Sequence, residues 1–172
     1  MSHISAGVEY GIHCLLYLTP TFNQRREASV RDLAELQGVP HEFLAKLFTK
    51  LAKAGLLVAS EGARGGFALA RPAADITVLD IVDAIDGQKS LFDCREIRSR
   101  CAIFDPENPP AWSSRGVCSI HSVMLSAQQR MREELALWTL ADLAARTTEK
   151  APASYPATVI RWLDGRGPAR GA

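Results

Sequence analysis

Two predicted helices, joined by a tight turn and followed by a glycine-rich hairpin, constrain the fold of this chain more than any other feature. Ser29 is a typical N-cap for the first of these helices, with Asp32 in place of the usual glutamate of a capping box. Gly38 supplies the turn. Pro40 suits the first turn of the second helix, where its missing N–H group would have no partner. The segment therefore predicts a helix-turn-helix.

The second helix is predicted to continue to Ala54, and its apolar residues recur at helical spacing. The residues expected to be buried are Phe43, Leu44, Leu47, Phe48 and Leu51. After Gly55, strands are predicted at residues 56–60 and 67–70, with a glycine-rich loop between them. A helix-turn-helix followed by such a hairpin predicts a winged helix over residues 1–72.

The regions next to this segment predict further helices and one irregular loop. A first helix is predicted from Ser5 to Leu18, where Pro20 ends the helical pattern, and a short helix from Val78 to Ile85. Residues 73–118 thus form a connecting helix and a loop, because the prolines at 106, 109 and 110 prevent regular structure.

The C-terminal part predicts one long helix and a tail. Helical spacing continues from Ser119 to Arg146, and a helix of this length outside a compact domain is often a dimerisation element, assigned here to residues 119–146. The tail, residues 147–172, is rich in proline and glycine, so we expect it to be partly mobile, with Tyr155 to Leu163 able to dock. The predicted fold class is mostly α, a winged helix-turn-helix with a small β-hairpin wing and a long C-terminal dimerisation helix.

The composition is that of a globular protein with a local positive patch. With 172 residues and 47% hydrophobic content, the chain can bury one good core. No apolar run is long enough for a membrane span and no N-terminal signal pattern is present, so we expect a cytoplasmic protein without a membrane partner. The net charge is +1, but basic residues prevail between Val39 and Arg71: Lys46, Lys50, Lys53, Arg64 and Arg71 against Glu42 and Glu61. This patch favours double-stranded DNA as a partner.

The second helix of the helix-turn-helix is the element expected to read DNA. The residues expected at base edges lie near its N-terminus: Pro40, His41, Glu42 and Phe43. Lys46 and Lys50 are expected at phosphates, and Arg64 at the wing tip in a minor groove. The alternative is that these lysines form an ordinary solvated face and that the winged helix docks a protein.

Two groups of residues far apart in the sequence have metal-binding chemistry. Glu9 and His13 are four apart on the predicted first helix, so their side chains project from one face and can hold one metal ion, or else form an ordinary surface pair. Cys94 and Cys118 stand far downstream, and in a reducing compartment such cysteines are free, metal-bound or redox-active. Cys14 is expected to be a buried hydrophobe.

Several short motifs lie within residues 1–146. They include Leu33-Ala34-Glu35, Phe43-Leu44-Ala45-Lys46-Leu47, Lys53-Ala54-Gly55-Leu56, Gly65-Gly66-Phe67-Ala68-Leu69 and Thr139-Leu140-Ala141-Asp142-Leu143. Together they resemble the IscR and NsrR family of iron-sulfur winged-helix regulators, and the segments around Glu9 and Cys94 are most similar to its redox-sensitive RsrR branch. The resemblance implies a [2Fe-2S] cluster held by Glu9 and His13 of one subunit and by Cys94 and Cys118 of the partner subunit. It also implies a homodimeric, DNA-binding repressor whose operator affinity is switched by the redox state or occupancy of the cluster.

Other ligand sets and function classes stay open at this point. Cys94, Cys101, Cys118 and His121 resemble the three-cysteine, one-histidine ligation of IscR, and the same set is common for structural zinc. A cluster-free regulator would instead use Cys101 and Cys118 as a thiol pair. An iron-sulfur electron-transfer protein is the alternative of another class, although no second cofactor motif accompanies the cysteines. Nothing in the sequence indicates an enzyme.

Overall fold

The computed structural model of the chain describes residues 3–25, 27–60 and 66–166. Its helices are α1 (Ala6–Leu16), α2 (Val30–Gln37), α3 (His41–Lys53), α4 (Val78–Asp86), α5 (Ser119–Leu137), α6 (Leu140–Lys150) and α7 (Tyr155–Asp164). Its strands are β1 (Glu27–Ala28), β2 (Leu57–Ser60) and β3 (Gly66–Leu69). Arg64 with the rest of the wing loop, and the end of the predicted mobile tail, lie outside the described residues.

The chain divides into two compact units. The first, which we call the winged-helix unit, consists of Met1–Gln88 and Leu135–Ala172. The second, which we call the cysteine unit, is Lys89–Glu134. The cysteine unit is mostly irregular before α5, with two short 3₁₀ turns at Arg98–Arg100 and Ala111–Ser113. None of the helices within the described ranges is both long and apolar enough to cross a membrane.

The winged helix predicted from the sequence is confirmed. The Ser29 hydroxyl accepts a hydrogen bond from the Asp32 N–H group at 3.1 Å, as expected for an N-cap. Gly38 has a φ of 71°, a left-handed conformation that glycine adopts without strain. Strands β2 and β3 pair antiparallel, and β1, which was not predicted, joins the free edge of β3 in the order β1-β3-β2.

The prediction of one helix from Ser119 to Arg146 is wrong, because the structure has α5 and α6 in its place. The break lies at Thr139, whose hydroxyl accepts from the Asp142 N–H group while the Asp142 carboxylate accepts from the Thr139 N–H group. This capping box starts a new helix. Thr139 also forms an antiparallel bridge with Thr77, which fixes the break against the start of α4.

A hydrophobic core fills the winged-helix unit. Its largest fully buried side chains include Phe22, Phe48, Leu15, Leu33, Leu44, Ile81 and Leu140. Phe48 packs edge to face on Phe67 of β3, with ring centroids 5.4 Å apart. These contacts hold α1, α3 and α4 together and thereby position the candidate site.

Candidate DNA-reading helix and metal-ligand residues

The first turn of α3 lies at the protein surface. Pro40 is the N-cap residue, and His41, Glu42 and Phe43 follow it, all exposed. His41 Nδ1 lies 3.2 Å from Glu42 Oε1, so these two side chains pair on the surface. Lys46, one turn later, is also exposed. The residues predicted to read bases therefore stand where a ligand could reach them.

Phe43 is not part of the buried stripe predicted for α3. Its side chain is 41% exposed, because it lies outside the core and against the ring of Tyr10 on α1. The two rings meet edge to face, with centroids 5.8 Å apart and an interplanar angle of 83°. The N-terminal turn of α3, which is predicted to contact DNA bases, thus packs on the helix that carries Glu9 and His13.

Lys50, which is predicted to meet a phosphate, makes an internal contact in this structure. Its ammonium group donates a 2.6 Å hydrogen bond to the carbonyl oxygen of Ile85, in the last turn of α4. Carbonyl groups there have no partner within the helix and form the negative end of its dipole, so a cation is stabilised at that position. Lys50 therefore joins α3 to α4 in this structure.

Two glycines on α1 allow this helix to pack closely against its neighbours. A Cβ atom at Gly11 would lie 2.5 Å from Ile85 Cδ1, and one at Gly7 would lie 3.3 Å from Leu47 Cδ2. Both glycines are buried, and Glu9 and His13, which project from the other side of the helix, are exposed. The spacing of Gly7 and Gly11 was the sequence signal for this close approach, but it was not interpreted.

Cys118 directly precedes α5 and occupies the position of its N-cap. Its carbonyl oxygen accepts from the Ser122 N–H group at 2.8 Å. Hydrogen bonds from the backbone N–H groups of His121 and Ile120 lower the pKa of the Cys118 thiol, and the positive charge of Arg98 lowers this pKa further. His121 thus acts on the thiol through its backbone.

Arg98 brings the two predicted cysteine ligands into one electrostatic environment. The hydrogen bond to Glu96 raises the pKa of the Arg98 guanidinium most, and the negative charges that Cys118 and Cys94 carry as thiolates raise this pKa further. The same group donates to the Glu96 carboxylate and to the carbonyl of Gly116, each at 2.9 Å. Glu96 has a φ of 43°, an unfavourable conformation for this residue, and its carboxylate accepts hydrogen bonds from Arg98. The sequence alone did not predict this role of Arg98, because its partners Cys118 and Gly116 lie far along the chain.

The remaining cysteines and His121 lie in different environments from Cys94 and Cys118. Cys14 is fully buried, and burial raises the pKa of its thiol to about 12, so it is a protonated core residue as expected. Cys101 is exposed. The His121 ring lies 6.1 Å from the ring of Phe92. Among the described residues of one chain, no three His, Cys, Asp or Glu side chains are grouped so that they could hold a metal ion.

An open cavity of about 520 Å³ lies next to Glu9 in the winged-helix unit. Its lining is mainly apolar and comes from α1 and the two residues before it, from α4 and from the end of α5: Ile4, Ser5, Ala6, Val8, Glu9, Ile12, Val78, Val82 and Leu135. The Glu9 carboxylate therefore stands at the border of an apolar depression.

Comparison with known proteins identifies the family. Residues 4–146 match the family model Rrf2, described as an iron-dependent transcriptional regulator. Protein rrf2 of Nitratidesulfovibrio vulgaris is 33% identical over 134 residues, which cover 78% of this chain and 81% of that protein.

Solved structures show the same fold. IscR from T. potens is 26% identical with a TM-score of 0.64, and the match covers 88% of this chain and 92% of IscR. CymR, the global cysteine regulator of B. subtilis, is 23% identical with a TM-score of 0.62, over 85% of this chain and 98% of CymR. The winged helix, the exposed first turn of α3 and these similarities lead to one conclusion: the chain belongs to the Rrf2 family of transcriptional regulators, which are DNA-binding proteins and not enzymes.

Proposed function

We propose that the chain acts as a homodimeric repressor whose operator affinity changes with the redox state or occupancy of a [2Fe-2S] cluster. Glu9 and His13 of one subunit would hold one iron, and Cys94 and Cys118 of the partner subunit would hold the other. The observation that carries this proposal is the division of the donors between the winged-helix unit and the cysteine unit. Among the described residues of one chain, no third donor joins either pair, which agrees with a site that a second chain completes.

The donor chemistry fits such a cluster. The lowered pKa of Cys118 favours the thiolate, which is the form that binds iron, and Arg98 balances the negative charge of the two sulfurs. When bound, a cluster with histidine among its ligands supplies a one-electron redox change at a milder potential than an all-cysteine cluster. The iron-dependent character of the family and the similarity to IscR support an iron cofactor.

The surface of the cysteine unit supports a second copy of the chain as the partner. Many of its large apolar side chains are exposed: Leu91, Ile97, Ile103, Trp112, Val117, Ile120, Val123 and Leu125. None of the α5 residues, all of which the structure describes, is buried. Monomeric proteins rarely leave so much apolar surface in contact with water. Pairing of two identical subunits would cover it.

The last turn of α4 offers a physical path from Glu9 and His13 to the reading helix. On one side, the Ser5 hydroxyl and N–H groups donate to the Asp86 carboxylate at 2.6 and 2.8 Å, and Gly11 packs on Ile85. On the other side, Lys50 of α3 donates to the Ile85 carbonyl. A shift of α1 would therefore be passed to α3 through packed groups that do not compress easily.

Only a small movement of the two DNA-reading helices is needed to change operator affinity. A twofold dimer presents two reading helices to half-sites about one DNA turn or a multiple of it apart, so a small rotation decides whether both fit. A tenfold change in operator affinity requires a difference of about 1.4 kcal/mol between the two states.

A second candidate is a cluster-free regulator that senses oxidants through cysteine. The lowered pKa of Cys118 favours it, since a thiolate is also the form that oxidants attack. In that case Cys101 and Cys118 form the thiol pair, and iron has no part in the response. A third candidate is a cluster or zinc site formed within one chain by Cys94, Cys101, Cys118 and His121. One experiment distinguishes these three candidates.

That experiment measures iron, acid-labile sulfide and the visible spectrum after purification without oxygen. We expect about two irons and two sulfides per chain, as a [2Fe-2S] cluster requires. His13→Ala should disturb the spectrum, and the control Cys101→Ala should leave it unchanged. Dependence on Cys101 would move the site to the one-chain set, and wild-type protein without iron would leave zinc or the thiol switch.

A further inference from the structure

A C-terminal helix beyond the family-matched residues 4–146 packs against the helix-turn-helix. Val159 of α7 is only 3% exposed. The ring of Tyr155 meets Phe22 edge to face, with centroids 5.7 Å apart. The docking predicted for Tyr155 to Leu163 is therefore present, and α7 is part of the core of the winged-helix unit.

Arg166, two residues after the end of α7, forms an ion pair with Glu35 in the last turn of α2. Its guanidinium donates two hydrogen bonds to the Glu35 carboxylate, at 2.9 and 2.5 Å. The same guanidinium stacks on the ring of Trp162, 3.9 Å from its centroid. A bidentate, stacked arginine fixes orientation better than a single exposed ion pair does. A second ion pair joins Asp164 to Arg25 at 3.0 Å.

A partly buried pair of tyrosine hydroxyls contacts the same turn of α2. The Tyr17 hydroxyl donates to Gln37 Oε1 at 2.8 Å and lies 3.2 Å from the Tyr155 hydroxyl. Because the Tyr17 proton is used for Gln37, Tyr155 donates to Tyr17. Both Glu35 and Gln37 belong to the final turn of α2, directly before Gly38. α7 and Arg166 thus restrain α2 at two points.

We propose that α7 and Arg166 form a clasp that positions the helix-turn-helix for DNA, with Tyr155 and Arg166 as positioning residues that act through α2. The last turn of α2 leads into α3 within three residues, and the Val39 N–H group bonds back to the Ala34 carbonyl at 2.9 Å. Restraint of this turn therefore restrains the start of the reading helix. The inference rests on the DNA-binding role of the chain and is independent of any cluster.

A direct contact between Arg166 and a DNA phosphate would give a different signature. In the structure the guanidinium is already engaged by Glu35 and Trp162, and the Glu35 carboxylate would repel a phosphate. Loss of a phosphate contact lowers the slope of log affinity against log salt by about one. Loss of a positioning residue lowers affinity at every salt concentration and leaves that slope unchanged.

The test compares Arg166→Ala, Glu35→Ala and the charge-reversed pair R166E/E35R with wild type. Arg161→Ala is the matched control, because Arg161 is exposed on α7 and its guanidinium bonds within that helix, to Thr158. The probe is a DNA duplex selected by the wild-type full-length protein from a random library. Two readouts are measured on protein purified without oxygen, both as purified and after removal of metal: affinity over a range of salt concentrations, and amide hydrogen exchange in α2 without DNA.

We expect each single variant to weaken binding roughly three- to tenfold with an unchanged salt slope, within the range found for residues that act on a site through packed neighbours. Exchange in α2 should become faster, and the reversed pair should recover much of both losses, whereas Arg161→Ala should match wild type. Unchanged affinity and exchange in Arg166→Ala would overturn the clasp, and a slope lower by about one would make Arg166 a phosphate ligand instead. If wild type selects no duplex, the DNA-binding role fails, and the exchange readout still decides whether the clasp holds α2.

Discussion

The winged-helix unit and the cysteine unit are stabilised in different ways. The winged-helix unit supplies every residue of the buried hydrophobic core described in the structure. Among residues 89–134, all described, only Ser113 is buried, and its hydroxyl oxygen finds no hydrogen-bond partner among the described residues. A unit without a fully buried apolar side chain gains little from the dominant stabilising term of folding. The contrast is what we expect if the proposed cluster and partner chain stabilise the cysteine unit, whereas the winged-helix unit has a hydrophobic core of its own.

The largest expected effect comes from a pair of substitutions, one in each unit. Phe48→Ala should lower the free energy of unfolding by about 3–5 kcal/mol, because Phe48 is fully buried against Phe67. Ile103→Ala should lower it by less than about 0.5 kcal/mol in metal-free, monomeric protein, because Ile103 is 85% exposed. Denaturant titration followed by circular dichroism measures both. Equal costs would mean that the cysteine unit has a core of its own.

A smaller loss of stability is expected from a substitution at the contact between α1 and α4 in the winged-helix unit. Gly11→Ala should cost about 1–3 kcal/mol, because the added Cβ atom would lie 2.5 Å from Ile85 Cδ1 and force a shift between α1 and α4. A matched control is Ala6→Gly, an exposed residue at the start of the same helix. Thermal unfolding distinguishes the two variants. A Gly11→Ala protein as stable as wild type would argue against close packing as the link from α1 to α4.

Lys46 and Lys50 of α3 are expected to have different roles, one in contacting DNA and the other in positioning the helix. Lys46→Met should lower the salt slope of DNA binding by about one, as loss of a phosphate contact does. Lys50→Met should leave that slope unchanged, because Lys50 is bonded to the Ile85 carbonyl, and should weaken binding through the position of α3. Fluorescence anisotropy over a range of salt concentrations measures both. If Lys50→Met also lowers the slope by one, Lys50 leaves Ile85 to contact DNA.

The smallest effect concerns the thiols. In metal-free protein at neutral pH, Cys118 should be alkylated severalfold faster than Cys101, because its pKa is lowered by backbone N–H groups and Arg98. As pH is raised, the alkylation rate of Cys118 should therefore increase at a lower pH than the rate of an ordinary cysteine does. Cys14, with a pKa of about 12, should react only on unfolding. Mass spectrometry after timed iodoacetamide treatment gives the three rates. A slower Cys118 would remove the electrostatic support for it as an iron ligand.

Local sequence signals were sufficient for the winged-helix unit. Caps at Ser29 and Gly38, helical spacing in α3 and glycines around the hairpin each act within a few residues, so the sequence alone predicted these elements. The break at Thr139 was missed because apolar spacing continues across it, although its capping box with Asp142 was visible in the sequence.

The roles of single side chains in the candidate site were harder to predict. Lys50 has the charge and spacing of a phosphate contact, and its bond to Ile85, 35 positions away in the chain, depends on the packing of α3 against α4. Arg98 is likewise defined by contacts with a loop 17 and 18 positions further on. Such long-range contacts follow from tertiary packing, which no local pattern encodes.

The most direct measurement is a complementation test with mixed dimers. One subunit carries Glu9→Ala and His13→Ala, the other carries Cys94→Ala and Cys118→Ala, and a distinct affinity tag on each isolates the heterodimer. If the ligands come from two subunits, the heterodimer keeps one complete site, so we expect about one [2Fe-2S] cluster per dimer and essentially none in either homodimer of variants. A heterodimer without iron, while each wild-type chain binds its cluster, would contradict the shared site and place all the ligands within one chain.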